Sequence, residues 1–285
     1  EDMAEWGSVP AWRPRFADCT LDIATELAET PLTWLMFADE GGLATDVTTR
    51  LRDAGHRVVT LTAGDAFAQG GDDAYVLAPD QGRVGYDQLI AALKEQDALP
   101  DRIAHFWLAD DSAAPRPGSN IFDRNLERGF WSVTWLAQAL TDVGLDAPLH
   151  LTVFTTGALQ VRDEALRYPE KALVRGPVGV FPREMPGVTT AQVDLDLPDM
   201  PAPEKRGWFA LRGTALLDVT QDDTALRVLE ELMAVPSNLT ASLRGAKRFE
   251  LTYRGTPLNA GDAPVFRDGG VYLITGGFGG IAQTL

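Results

Sequence analysis

Cysteine is almost absent from this chain: Cys19 is the only one in 285 residues. A single thiol excludes an intrachain disulfide. No Cys-x-x-Cys pair occurs and the histidines lie far apart at 56, 105 and 150, so no zinc-ligand spacing is present. Basic residues are also scarce, with 25 Lys and Arg against 41 Asp and Glu, a formal charge of −16. Such a surface repels phosphate backbones and anionic headgroups, which argues against nucleic acid and membrane as partners. No run approaches the ~20 apolar residues of a membrane span. The opening EDMAEWGSVP is acidic where a secretion signal is basic and then apolar. The expectation is a soluble, cytoplasmic chain in which Asn238-Leu239-Thr240 is a chance sequon and Cys19 a bland thiol. Gly-x-Ser-x-Gly and Gly-x-x-x-x-Gly-Lys-Ser/Thr are missing too, which removes the common hydrolase and P-loop readings.

What the chain has is a large apolar fraction, 45%, with 7 Trp and 12 Phe, enough for a sizeable core. Leu32 to Ala38 is a continuous apolar run of strand length, followed by a helical pattern through Leu43, Val47, Leu51 and Ala54, a stop at Gly55, and a strand at Val58 to Thr62. The alternation continues with a strand at Tyr75 to Leu77, a helix over Tyr86 to Gln96 and a strand over Arg102 to Leu108. A long helix over Asn120 to Val143 and a strand over Leu149 to Thr155 follow. Strands buried on both faces and alternating with amphipathic helices predict an α/β fold, a Rossmann-like doubly wound parallel sheet. A helix over Gln221 to Val235 ends at Pro236, and Phe249, Leu251 and Tyr253 predict a strand on a sheet edge. Ser112 to Ser119 and Leu197 to Arg206 are expected to be surface loops.

Val271-Tyr272-Leu273-Ile274 predicts another buried strand, and it runs into Thr275, Gly276, Gly277, Phe278, Gly279, Gly280 and Ile281. Glycines between a strand and a helix let the backbone turn tightly and approach a pyrophosphate, so these seven residues are the candidate cofactor site. A complete nucleotide domain needs further βα units and a ribose-recognising residue about 20 positions on. The expectation is therefore that residues 1–285 do not bind nucleotide alone. After Leu32 to Ala38, where a first fingerprint would sit, the chain has Asp39-Glu40. Two carboxylates there repel a pyrophosphate, and they can also cap the next helix.

The sequence resembles the ketoreductase region of modular type I polyketide synthases and related fatty acid synthases. The resemblance rests on Val9-Pro10-Ala11-Trp12 and on Tyr168-Pro169-Glu170-Lys171-Ala172, then Gly176, Val180, Glu184 and Pro186, then Val193-Asp194-Leu195. It extends through Arg244 to Tyr253 (RGAKRFELTY) and Val271 to Ala282. It implies a short-chain dehydrogenase-like pair of Rossmann-like halves, a structural one and an NADPH-binding catalytic one, with the second truncated in the present chain. On this basis residues 1–30 are a linker, 31–245 the structural subdomain, and 246–285 the edge strand and first glycine turn of the catalytic subdomain. The implied partners are the remaining catalytic subdomain, neighbouring synthase domains and an acyl carrier protein.

The family reduces β-ketoacyl thioesters with Ser, Tyr and Lys, the last two spaced Tyr-x-x-x-Lys so that a cation lowers the phenol's pKa. No such pair occurs: Tyr75, Tyr86, Tyr168, Tyr253 and Tyr272 are followed four residues on by Pro79, Ile90, Ala172, Pro257 and Gly276. Tyr168 with Lys171 is a near-miss at the wrong spacing. No catalytic residue is assigned, and residues 1–285 alone are expected to be inactive. Ala282 stands where the family pattern has its last Gly, which keeps open a non-catalytic pseudo-ketoreductase scaffold.

Overall fold

The computed structural model describes residues 3–19, 22–110, 120–144, 148–196, 220–258 and 266–284. The two expected surface loops, Ser112 to Ser119 and Leu197 to Arg206, lie outside them. The chain divides into two compact units, Trp12–Thr252 and a smaller one made of Glu1–Ala11 with Tyr253–Leu285. Among the described residues no helix is long and apolar enough to cross a membrane.

The strands are β1 (Ser8–Pro14), β2 (Thr33–Phe37), β3 (Arg57–Ala63), β4 (Ala68–Gly71), β5 (Ala74–Leu77), β6 (Arg102–Leu108), β7 (Leu149–Thr156), β8 (Val188–Leu195), β9 (Leu239–Arg244) and β10 (Lys247–Gly255). They form one sheet in the order β1-β10-β9-β8-β7-β6-β2-β3-β5-β4. From β9 to β5 every neighbouring pair is parallel, and β4 and β10 add antiparallel partners outside them.

The helices that cover the sheet are α1 (Ile23–Glu29), α2 (Leu43–Asp53), α3 (Val84–Glu95), α4 (Ile121–Leu126), α5 (Ser132–Val143), α6 (Arg175–Glu184) and α7 (Thr220–Met233). Period-two alternation in β2 sends Leu35 and Phe37 to one face and Trp34 and Met36 to the other. The first face packs on α3, α5 and α6 through Leu89, Ile90, Leu136, Val178 and Phe181. The second packs on α2 and α7 through Val47, Leu51, Val228 and Leu232. Helices on both faces explain why β2 reads as a continuous apolar run and why every residue of β7 is buried, its His and Thr included. The doubly wound α/β fold expected from the sequence is the fold observed.

Three local expectations are corrected. The helix predicted over Asn120 to Val143 contains a π-helical turn at Glu127–Trp131 between α4 and α5. Gly129 lies within it, where an added Cβ would fall 2.5 Å from Leu108 Cδ1, so the turn passes close to the end of β6 and a larger residue would have to displace the Leu108 side chain. The strand at Phe249 to Tyr253 is not at the edge, because β10 lies between β9 and β1. Val271 to Ile274 forms no strand, and Val271 and Leu273 are 99% and 94% exposed. An apolar parallel strand needs partners on both sides and cover on both faces, and among the described residues none pairs with this segment.

The smaller unit is held by a bond between its two chain segments and by contacts within the second. Thr256 N donates to Gly7 O (2.9 Å), Arg267 N donates to the Tyr272 hydroxyl (2.8 Å), and Phe266 meets the Tyr272 ring edge-on.

Candidate cofactor turn and the filled sheet crevice

Thr275 to Ile281 are brought together as one exposed turn that opens a short helix, α8 (Gly280–Thr284). Gly279 N donates to Gly276 O (2.8 Å) and Gln283 N to Gly279 O (3.1 Å). Gly276 has φ +74°, a conformation that favours glycine. At Gly279 a Cβ would come within 3.2 Å of Gly276 O. Gly277 and Gly280 differ: a Cβ would meet only ordinary contact at the first and nothing within 4 Å at the second. The turn's own geometry therefore favours glycine at 276 and 279 and leaves the other two of its four glycines unexplained by internal sterics. The backbone is bare at these positions, which suits the close approach of a pyrophosphate.

The larger unit treats its own crevice in the opposite way. Open α/β sheets bind ligands beyond the carboxyl ends of the strands, where successive connections run in opposite directions from a central pair. Here that point lies between β2 and β6. The chain leaving β2 places Asp39 on the first turn of α2, with Oδ1 accepting from Ala44 N (2.7 Å) and Oδ2 from Leu43 N (3.2 Å). The helix start, where a phosphate would sit in a nucleotide-binding half, is thus satisfied by the protein's own carboxylate. Glu40 accepts from Arg128 Nη2 (2.8 Å), and Arg128 Nη1 lies 3.9 Å from Asp110 Oδ2. Arg128 belongs to the π-helical turn, next to Gly129.

Behind these groups lies Lys171, only 2% exposed. Its Nζ donates to Asp110 O (2.5 Å), Leu108 O (3.0 Å) and Thr156 Oγ1 (2.9 Å) at the ends of β6 and β7. Burial lowers its pKa from 10.5 to about 8, against the pull of Asp110, Asp194 and Glu170. The near-miss partner Tyr168 is adjacent, but the ammonium sits over the ring face, 4.5 Å from its centroid. All three ammonium protons are directed at main-chain and threonine oxygens. This is a structural bracket, and it does not have the phenol-activating geometry of a reductase pair.

The histidines are likewise structural. His105 stacks on Phe37 (4.4 Å between centroids) and pairs with Ser132 Oγ (2.9 Å), His150 Nδ1 pairs with Thr189 Oγ1 (2.8 Å), and His56 Nδ1 accepts from Leu32 N (3.0 Å). Burial holds all three below the usual imidazole range, His105 at about 3 and His150 at about 4. Among the described residues no group of three or more potential ligands could hold a metal ion. Cys19 Sγ contacts Glu230 O, and burial pushes its pKa up, away from thiolate character.

Sequence reading missed the charged network at the ends of β7, β8 and β9. Arg244 Nε and Nη2 grip Glu164 (2.6–2.9 Å), while Nη2 also reaches the fully buried Asp194 (2.7 Å). Its signal was present in Val193-Asp194-Leu195, a carboxylate between two apolar strand residues. A buried charge of that kind needs a partner, but the partner lies 50 residues away.

Comparison with known proteins agrees with the resemblance read from the sequence. The family described as "Beta-ketoacyl synthase-like, N-terminal" matches residues 33–164. That stretch contains no cysteine. A phenolphthiocerol/phthiocerol polyketide synthase polypeptide of Mycobacterium tuberculosis is 29% identical over 152 residues, covering 53% of this chain and 7% of that polypeptide. In structure the chain is similar to an adenylation, ketoreductase and pseudo-Asub multidomain structure of a keto acid-selecting NRPS module, with TM-score 0.72, 21% identity, and 97% and 21% of the two chains covered. It is also similar to an N-terminal ketoreductase from the macrolactin assembly line, with TM-score 0.65, 17% identity, and 96% and 49% covered. The chain spans about half the length of that ketoreductase and a small part of the mycobacterial synthase polypeptide. Its sequence is similar to polyketide synthases, and its fold is that of ketoreductases.

Proposed function

We propose that residues 31–245 are the structural, non-nucleotide-binding half of a polyketide synthase ketoreductase region, and that residues 246–285 begin the NADPH-binding half. The observation that carries this reading is Asp39. Its two carboxylate oxygens occupy the helix donors on which a first-half nucleotide phosphate would rest. The turn at Thr275 to Ile281 supports the second part, because Gly277 and Gly280 leave backbone open that the turn itself does not need open. These residues would hold the pyrophosphate of NADPH, which supplies a hydride to a carrier-bound β-ketoacyl thioester when bound. The first half would keep the second in shape and present it to an acyl carrier protein and to neighbouring synthase domains in the cytoplasm. Residues 1–285 carry no Tyr-x-x-x-Lys pair, so on this reading they are inactive alone.

A second reading, a pseudo-ketoreductase kept as scaffold, draws on Ala282 at the last fingerprint position. One titration separates the two. NADPH fluorescence is followed with residues 1–285 and with a polypeptide continuing about 200 residues further, the size of a Rossmann-like half. Binding and β-ketothioester reduction by the longer form alone are expected. NADPH binding by residues 1–285 would overturn the structural role of the first half, and no binding by either would favour the scaffold.

A further inference from the structure

Past the end of β7 the chain from Gly157 to Glu164 forms a loop fixed at several points. Trp12 Nε1 donates to Gln160 O (2.8 Å), Gln160 Nε2 to Glu164 O (2.7 Å), and Val161 N to Glu164 Oε1 (2.8 Å). Arg244 then ties Glu164 to the end of β9.

Within this braced loop Arg162 has φ +61°. The other non-glycine residues with positive φ among those described are Asp73 and Asp97, of a type that tolerates the left-handed region. An arginine there is strained, and such strain persists only where the surroundings impose it. Here it holds the guanidinium 5.1 Å from the centroid of the Phe249 ring.

Val161, Arg162, Glu164, Arg244, Lys247 and Phe249 line a cavity of about 230 Å³. Val161 and Phe249 are its buried apolar floor, and Arg162 and Lys247 are exposed at its rim. Of the carboxylates beside it, Glu164 and Asp194 share Arg244, Asp196 accepts from Gly245 N (2.9 Å), and the exposed Asp163 is not part of the cavity lining. Arg162 and Lys247 form no ion pair among the described residues. Two available cations on a chain of charge −16, at the carboxyl ends of β7 and β9, mark a place built for an anion.

We propose that this cavity binds a small phosphomonoester with a planar apolar body. The phosphate lies between Lys247 and the Arg162 fork, and the apolar body stacks on the guanidinium that Phe249 backs. This site is separate from the glycine turn and does not depend on the reductase reading.

Phenyl phosphate is the probe, titrated into residues 1–285 by calorimetry, with inorganic phosphate and benzyl alcohol as the two half-ligands. Saturable binding of phenyl phosphate is expected, at least about tenfold tighter than either half-ligand. Lys247→Glu and Arg162→Gly are each expected to weaken it about tenfold or more. Arg162→Gly also relieves the positive φ, so its melting temperature should hold or rise, separating loss of binding from loss of fold. Absence of saturable binding, binding untouched by both substitutions, or equal affinity for inorganic phosphate would each overturn the proposal.

Discussion

The ammonium of Lys171 lies 2.5 Å from the main-chain oxygen of Asp110, and this one bond closes the end of β6 against the loop that follows β7. The same nitrogen reaches Leu108 O and Thr156 Oγ1, so three acceptors converge on a cation that solvent does not reach. Thr156 Oγ1 also donates to Asp110 O (2.9 Å), which leaves the carbonyl partly satisfied without the lysine.

Lys171→Ala should therefore be far worse than Lys171→Met. Alanine leaves a cavity and strips Leu108 O of its main partner, for a loss of about 3 kcal/mol or more. Methionine refills the volume and removes the cost of burying a charge, so a loss of about 1 kcal/mol is expected. Urea denaturation of both variants at pH 7 checks the ranking, and equal losses would mean that the ammonium bonds outweigh packing.

Asp39 gives a second measurable contribution. Asp39→Ala removes acceptors from Leu43 N and Ala44 N at the start of α2 and should cost about 1–2 kcal/mol. Asp39→Asn keeps one acceptor and should recover most of that. Hydrogen exchange at Leu43 and Ala44 would show the local effect directly, with protection lost in the alanine variant and retained in the asparagine one.

Much of this arrangement could be read from the chain, and the limits of that reading have physical causes. β6 was legible to the residue because RIAHFWL is buried on both faces. Asp39 and Glu40 were legible as a carboxylate pair at a helix start, and the structure makes the first a cap and the second the partner of Arg128. The π-helical turn was not legible, because the apolar pattern of Asn120 to Val143 suits an unbroken helix and the close pass of Gly129 by Leu108 arises only across the fold. Arg244 with Glu164 and Asp194 was not legible for the same reason: the three residues meet only once β7, β8 and β9 are side by side. The run Val271 to Ile274 has strand composition without strand pairing, since composition reports suitability for burial and only neighbours supply it.

Acid should destabilise the larger unit through its histidines. His105 and His150 are held near 3 and 4 in the folded chain against 6.5 when free, so the unfolded chain binds more protons over that interval. Stability is fully present above pH 6.5 and falls as the pH drops toward the folded values, by about 2 kcal/mol per histidine between pH 7 and 5. The buried carboxylates Asp194 and Glu231, raised by desolvation, act in the opposite sense, so the histidine share is read by difference. In His150→Gln the loss of stability between pH 7 and 5 should shrink by about 2 kcal/mol. Imidazole resonances of His105 and His150 should stay neutral at pH 5, and a charged signal from either at that pH would contradict the burial argument.

The glycine turn permits a test that separates folding from ligand approach. Gly276 is required by its positive φ, so Gly276→Ala should disturb the turn itself at a cost of about 1 kcal/mol or more. Gly280 has negative φ and open space where a Cβ would go, so Gly280→Ala should leave the turn intact and slightly favour α8. In the polypeptide that includes the rest of the NADPH-binding half, the two should diverge. Gly280→Ala is expected to raise the NADPH dissociation constant about tenfold, equivalent to about 1.4 kcal/mol, at an unchanged melting temperature. Gly276→Ala is expected to weaken binding and lower local protection together. The new methyl at Gly280 meets nothing in the protein, so any loss of affinity comes from what it meets in the ligand. Unchanged affinity in Gly280→Ala would therefore remove the turn from the cofactor site.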